Sequence, residues 1–139
     1  MIILDTNVLS EALSPAPSDA VMNWLGAQDR LAVFITAITQ AELLSGIEIL
    51  PAGQRRDLLA TAVKRIFLDE FPGRILPFDE EAATVYTGIV ARRVRMGRPI
   101  SQFDAMIAAI ASSRGGAVAT RNVRDFEHCG IEVFDPWDG

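Results

Sequence analysis

Four acidic residues, Asp5, Glu42, Asp104 and Asp125, are of the type and placement that could hold a catalytic cation. They lie far apart in the chain. Each falls at or near the start of a segment following an expected strand, or on a helix able to face the same sheet edge. Hard oxygen ligands of this kind suit Mg²⁺ or Mn²⁺. Several carboxylates around one or two such ions are what hydrolysis of a phosphodiester needs. The ion polarises a phosphoryl oxygen, lowers the pKa of a bound water and stabilises the leaving oxygen. Ser/His/Asp catalysis has little support, because the single histidine, His128, is expected in a solvent-facing loop. An isolated Asp5 reads equally well as a cap or turn residue. The recurrence of acids at similar edges is what favours a site.

The first stretch, Met1-Ile2-Ile3-Leu4-Asp5-Thr6-Asn7-Val8-Leu9, delivers Asp5. The apolar run before it predicts a fully buried strand of a parallel sheet. Ligands in open α/β sheets sit outside the carboxyl ends of the strands, which is where Asp5 is expected. Thr6 or Asn7 is expected to cap a helix over Val8–Leu13. Ser14-Pro15-Ala16-Pro17 breaks it, and Ser18 or Asp19 caps the next helix, with Val21, Met22, Trp24 and Leu25 as its apolar side. Leu31–Ile35 is a second strand, ended by Thr36.

A helix from Thr36 to Leu50 follows, burying Ala37, Ile38, Ala41, Leu43, Leu44 and Ile47. Glu42 lies beside this face, as a boundary residue or as one leaning toward Asp5. Gln54–Phe71 is a helix with Leu58, Leu59, Ala62, Val63 and Ile66 apolar and Arg55, Arg56, Lys64 and Arg65 outside. After a third strand over Arg74–Pro77, Asp79-Glu80-Glu81 opens a helix whose stripe is Ala82, Val85, Tyr86, Ile89, Val90 and Val94. Acids in a first turn suit the helix dipole and receive no catalytic role.

The helix from Ser101 or Gln102 to Arg114 is apolar nearly all round, which predicts burial on several sides. Asp104 in its first turn must find a partner, and a cation shared with other acids would serve. Ala117–Thr120 is a fourth strand and Ile131–Phe134 an edge strand. The order of elements predicts a parallel three-layer α/β sheet with helices on both faces, in one domain over residues 1–139.

The 139 residues, half of them apolar, can bury a two- or three-layer core. The apolar run Ala105–Ala111 is too short to span a bilayer. The N-terminus lacks a basic n-region, and Asp5 interrupts any apolar one, so no signal peptide is expected. Cys129 is the single cysteine, which rules out an internal disulfide and gives no metal cluster. A cytoplasmic location, with no membrane partner, is expected. The net charge of -5 argues against gripping nucleic acid by bulk electrostatics. Bound Mg²⁺ or Mn²⁺ would offset clustered acids, however. The bases are also bunched, at Arg55-Arg56, Lys64-Arg65 and Arg92, Arg93, Arg95 and Arg98. Such bunches are solvated helix faces, tracks for a phosphate backbone, or contacts for an acidic partner.

Four blocks carry a family resemblance. Asp5-Thr6-Asn7-Val8, Thr39-Gln40-Ala41-Glu42-Leu43-Leu44-Ser45-Gly46, Asp104-Ala105-Met106-Ile107-Ala108-Ala109 and Ala119-Thr120-Arg121-Asn122-Val123-Arg124-Asp125-Phe126 resemble the signature blocks of PIN-domain ribonucleases. Their order and spacing are similar to the VapC/FitB group of bacterial toxins, and the tail Phe134-Asp135-Pro136-Trp137 looks like the FitB type. The resemblance implies a Mg²⁺- or Mn²⁺-dependent endoribonuclease, the toxin of a type II toxin–antitoxin pair. It implies a homodimer silenced by a small antitoxin, with DNA bound only through that antitoxin. Carried over by block, Asp5 and Asp104 would be the main metal ligands. Glu42 would complete the site directly or through water, and Asp125 would be the fourth acid. Thr6 and Thr120 would position water or phosphate. Some members of the group carry their fourth acid where this chain has Asn122, which supplies no negative charge. Phe103 stands where a small residue more often precedes the block's Asp, and either narrows the entrance or packs.

Other classes fit less well. An aspartyl-nucleophile phosphatase would need a second Asp where Asn7 stands, and a dinucleotide site would need a glycine-rich turn after the first strand. The serious alternative is a non-catalytic RNA- or protein-binding module on the same fold.

Overall fold

A computed structural model describes residues 1–138. Five strands, β1 (Ile2–Leu4), β2 (Val33–Thr36), β3 (Ile75–Leu76), β4 (Ala117–Ala119) and β5 (Val133–Phe134), form one parallel sheet ordered β3-β2-β1-β4-β5. β1 lies at the centre, pairing Ile2, Ile3 and Leu4 with Ala117, Val118 and Ala119 of β4. The chain winds outward from β1 through β2 to β3, then crosses back to the other side of β1. That reversal puts a topological switch point between β1 and β4, where α/β sheets open a crevice at the carboxyl ends of their strands.

Side chains alternate between the two faces along each strand. Ile3 and Val118 face α5 (Glu80–Arg95) and α6 (Gln102–Ser113), which pack along one another. Leu4, Val33, Ile35 and Ala119 face α1 (Thr6–Ala12), α2 (Asp19–Gly26), α3 (Ala37–Glu48) and α4 (Gln54–Asp69). The three-layer arrangement therefore follows from short strands apolar on both sides. α6 is buried nearly all round, as its composition predicts, through Ala105 and Ile107–Ala111. Its run of alanines lets α5 and the sheet approach closely.

Several local expectations are corrected. α1 begins at Thr6, two residues earlier than expected, and its cap is Asp5 rather than Thr6 or Asn7. Leu31 lies in a 3₁₀ turn (Arg30–Ala32) and is exposed, so β2 starts at Val33. On α3 the interior position next to Glu42 is Thr39, while Ala41 faces out. Thr39 can be buried because its hydroxyl meets that of Thr6 at 3.0 Å. On α4, Leu58 and Ala62 are exposed and Val63 and Phe67 carry the packing. Val94 of α5 is likewise exposed, and Arg93, read as part of a basic outer face, is only 4% exposed.

Candidate active site

Asp5 is fixed from four directions. Its backbone N–H donates to the Ala119 carbonyl at 2.9 Å, extending the β1–β4 ladder to the switch point. Its Oδ1 caps α1 by accepting the Thr6 N–H at 2.8 Å. Its Oδ2 accepts the Thr120 hydroxyl at 2.8 Å and the Asn7 side-chain amide at 3.3 Å. Asn7 in turn accepts the Arg121 backbone N–H at 3.3 Å. The sequence therefore builds the centre of the crevice from two residues that end neighbouring strands, Asp5 and Thr120.

The other acids arrive on helices. Thr36 ends β2 and caps α3, accepting the Thr39 N–H at 3.2 Å, so α3 starts at the sheet edge. Glu42, one turn further on, accepts the Thr6 hydroxyl at 2.9 Å. Ser101 caps α6 by accepting the Asp104 N–H at 3.2 Å, which sets Asp104 in the first turn. Asp5, Glu42 and Asp104 line one crevice of about 560 Å³ with Thr6, Asn7 and Asn122. Thr120 is buried beneath it. Asp125 is not among the lining residues; it is exposed in a 3₁₀ turn (Val123–Phe126), within electrostatic reach of Asp104. Phe103 is half exposed and does not line the crevice.

Electrostatics mark the same place. Burial pushes the Asp5 carboxyl from its ordinary 3.8 up to about 6; the bonds from Thr120 and Thr6 pull it down, and the charges of Asp104 and Glu42 push it up. Burial also raises Asp104, against the hydrogen bond with Ser101, and Asp125 adds to the rise while Arg93 opposes it. Two carboxyls held above their ordinary range in one crevice mark a candidate functional site. Both would gain from a cation.

Glu11, Asn7 and Arg93 were not legible as site residues. Glu11 lines the crevice and accepts the Ser18 N–H at 3.1 Å. Its helical spacing from Asn7 was the available signal. Arg93 lies beneath the Val123–Phe126 turn. Its Nη1 donates to the carbonyls of Asp125 at 2.8 Å and Glu127 at 3.1 Å, and its Nε to that of Arg98 at 2.6 Å. Burial raises the Cys129 thiol beside it, so that neighbour stays neutral. A buried guanidinium thus anchors the turn that carries Asp125 and Asn122.

The donor set is carboxylate, hydroxyl and amide oxygen, the chemistry of a hard cation. Among the described residues, no three carboxylate, imidazole or thiol groups gather closely enough to hold one ion between them. Mg²⁺ is commonly held by one or two carboxylates and keeps several waters, so two acids with a third acting through water fit it.

Comparison with known proteins places the arrangement. The family model of the PIN domain matches residues 2–131. A VapC ribonuclease, Y4jK, of Sinorhizobium fredii is 39% identical over 138 residues, 99% of each chain. A protein of Shigella flexneri named a tRNA(fMet)-specific endonuclease VapC is 33% identical over 135 residues, 97% of this chain and 96% of its own. The crystal structure of FitAcB from Neisseria gonorrhoeae superimposes with a TM-score of 0.93 at 40% identity, covering 99% of each chain.

Proposed function

Because the chain belongs to the PIN-domain family, in its VapC/FitB group of toxin–antitoxin toxins, we propose that it is a Mg²⁺- or Mn²⁺-dependent endoribonuclease. The observation that carries this reading is the convergence of Asp5, Glu42 and Asp104 on one crevice at the β1–β4 switch point. Asp5 and Asp104 are the residues that would hold the cation, with Glu42 joining directly or through water. Asp125, anchored by Arg93, lends negative charge from the rim. Asn122, at the position where some of the group carry an acid, offers an amide oxygen instead. When bound, the cation supplies Lewis acidity and an activated water.

The chain's own groups do the positioning. The Thr120 hydroxyl and the Thr6 N–H hold the Asp5 carboxylate in one rotamer. The Thr6 hydroxyl does the same for Glu42. A carboxylate pre-oriented by its neighbours loses no conformational freedom when it engages a cation or a water.

The substrate class is RNA, in keeping with relatives named as a ribonuclease and a tRNA endonuclease. The inhibitory partner is a small antitoxin, and the chain acts as a cytoplasmic homodimer that meets DNA only through that antitoxin. An apolar groove of about 750 Å³, lined by Leu13, Leu43, Ile47, Leu58 and Leu59, suits an apolar antitoxin segment. Among the described residues, no helix is long and apolar enough to cross a membrane.

Cleavage of total RNA by the purified chain tests the reading, with Mn²⁺, with EDTA, and with Asp5→Asn. Discrete fragments that require both Mn²⁺ and Asp5 are expected. Absence of cleavage together with absence of any Mn²⁺-induced rise in melting temperature would replace the nuclease with a non-catalytic module.

A further inference from the structure

One cation lines a crevice otherwise built of acids and neutral groups: Arg121. Its backbone is held in place, because its N–H donates to Asn7 Oδ1 and the preceding Thr120 N–H donates to the Phe134 carbonyl at 2.9 Å. Its side chain is exposed. Among the described residues, no carboxylate lies within ion-pair distance of it. Its guanidinium carbon instead sits 5.0 Å from the centroid of the Trp137 ring.

Trp137 also lines the crevice. Its indole packs against the core cluster beneath α1–α4, and its backbone N–H donates to Asp135 Oδ1 at 2.9 Å. The indole, seated against the core, is a shelf over which the guanidinium rests. Arg beside so much negative charge would be expected to pair with a carboxylate. Resting over the Trp137 ring, its N–H fork has no carboxylate partner among the described residues.

We propose that Arg121 is a substrate-binding residue that grips a phosphate of the single-stranded RNA next to the scissile one, with Trp137 as its positioning residue. The proposal rests on the endoribonuclease reading. A guanidinium fork matches two phosphate oxygens at once, and stacking keeps the plane oriented while the fork binds. An acidic crevice also needs such a group, since without it a polyanion meets only repulsion outside the metal. Arg121 lets the RNA be held on one side by the cation and on the other by a positive charge resting on Trp137.

The test reads binding separately from cleavage. Affinity for a fluorescein-labelled single-stranded RNA is measured by anisotropy in Ca²⁺ over a series of KCl concentrations. A gel of each sample verifies that the probe is intact. The intact chain is compared with Arg121→Ala, Arg121→Lys and Trp137→Phe, each checked for an unchanged melting temperature. Arg121→Ala is expected to weaken binding about tenfold, the scale of one lost charge-assisted contact. It should also flatten the log–log salt slope by about one. Arg121→Lys should keep the slope and recover part of the affinity. Trp137→Phe should weaken binding in the intact chain and have no added effect in an Arg121→Ala background, because the two act as a unit. A merely structural role would leave the salt slope unmoved.

Equal affinity and equal slope for Arg121→Ala and the intact chain would overturn the proposal, even with Mn²⁺-dependent cleavage intact. So would failure of the intact chain to bind the RNA at low salt. Failure of total RNA cleavage in Mn²⁺, with the Arg121-dependent slope preserved, would instead remove the nuclease reading and leave Arg121 as an RNA contact.

Discussion

Replacing Asp5 by Asn should stabilise the metal-free protein at neutral pH and destabilise it slightly in acid. The Asp5 side chain is 6% exposed, and its carboxyl sits at about 6 rather than its ordinary 3.8. A folded value above the unfolded one means that the fold holds the proton more tightly than the open chain does. Nothing is lost well below pH 3.8, where both states are protonated. As pH rises from about 4 through 6 the unfolded chain releases its proton first, and stability falls by about 3 kcal/mol, at about 1.4 kcal/mol per tenfold in proton affinity. Asn carries no such titration. It does present an amide nitrogen to the Thr120 hydroxyl and the Asn7 amide, two groups that donate to Asp5 Oδ2. That mismatch costs about 1 kcal/mol. The net gain near pH 8 is then about 2 kcal/mol. For 139 residues unfolding with about 2.1 cal/mol/K each, this is a rise in Tm of about 7 °C. Thermal unfolding by circular dichroism in EDTA, from about pH 4 to 8, reads both signs. The curves of the two proteins should cross at about pH 4.5. Mn²⁺ should restore the intact chain and leave Asp5→Asn unmoved. An Asn variant less stable than the intact chain at every pH would refute the view that burial of this carboxylate is a strain on the fold.

Other perturbations separate the parts of the site. Arg93→Met removes a buried guanidinium from three carbonyls while keeping much of its length, and should lose about 3 kcal/mol, a fall of about 10 °C by calorimetry; a change under about 2 °C would contradict it. Thr6→Val frees the Glu42 carboxylate and should shrink the Mn²⁺-induced rise in Tm, whereas Thr84→Val, which removes an exposed hydroxyl bonded to the Glu80 carbonyl, should leave that rise unchanged. Leu58→Asp, at a side chain 63% exposed, should shift stability by no more than about 0.5 kcal/mol yet abolish retention of a co-expressed antitoxin on an affinity column; retention at the level of the intact chain would show that the groove is not the docking face.

The sequence spoke clearly where one physical demand acted alone. Ile2–Leu4 is apolar because it is buried on both faces, and an acid directly after it marks the strand's end. α6 is apolar all round because the sheet and α5 leave it little solvent. These two elements, with Glu42 beside a helical stripe, were enough to anticipate three acids meeting at one edge. Where two demands competed, residue type misled. Arg93 occupies the helical position after Ala82, Tyr86 and Ile89 on the inward stripe of α5, but its charge pointed outward; only the three facing carbonyls make it tolerable inside. Thr39 was passed over for Ala41 because its hydroxyl partner, Thr6, is 33 residues away. Leu58 and Ala62 form an apolar face left exposed among the described residues. Asp125 resembled the other acids in spacing, yet its place on a 3₁₀ turn keeps its side chain exposed.

Asp5 ends a strand, caps α1 and supplies the central carboxylate of the crevice. Only the last of these duties needs a negative charge. Asparagine caps a helix about as well as aspartate. An aspartate codon becomes an asparagine codon by changing its first base, G to A. On the proposed reading of the site, in a toxin whose activity burdens its host, a single transition would therefore yield a chain that folds, exposes the same apolar groove and no longer holds the cation. Loss of activity and loss of fold are separable at this position by one nucleotide. Silent copies of such a gene should accumulate at this codon faster than at those for buried α6 residues such as Ile107 and Ala108, where a disabling change also unfolds the protein.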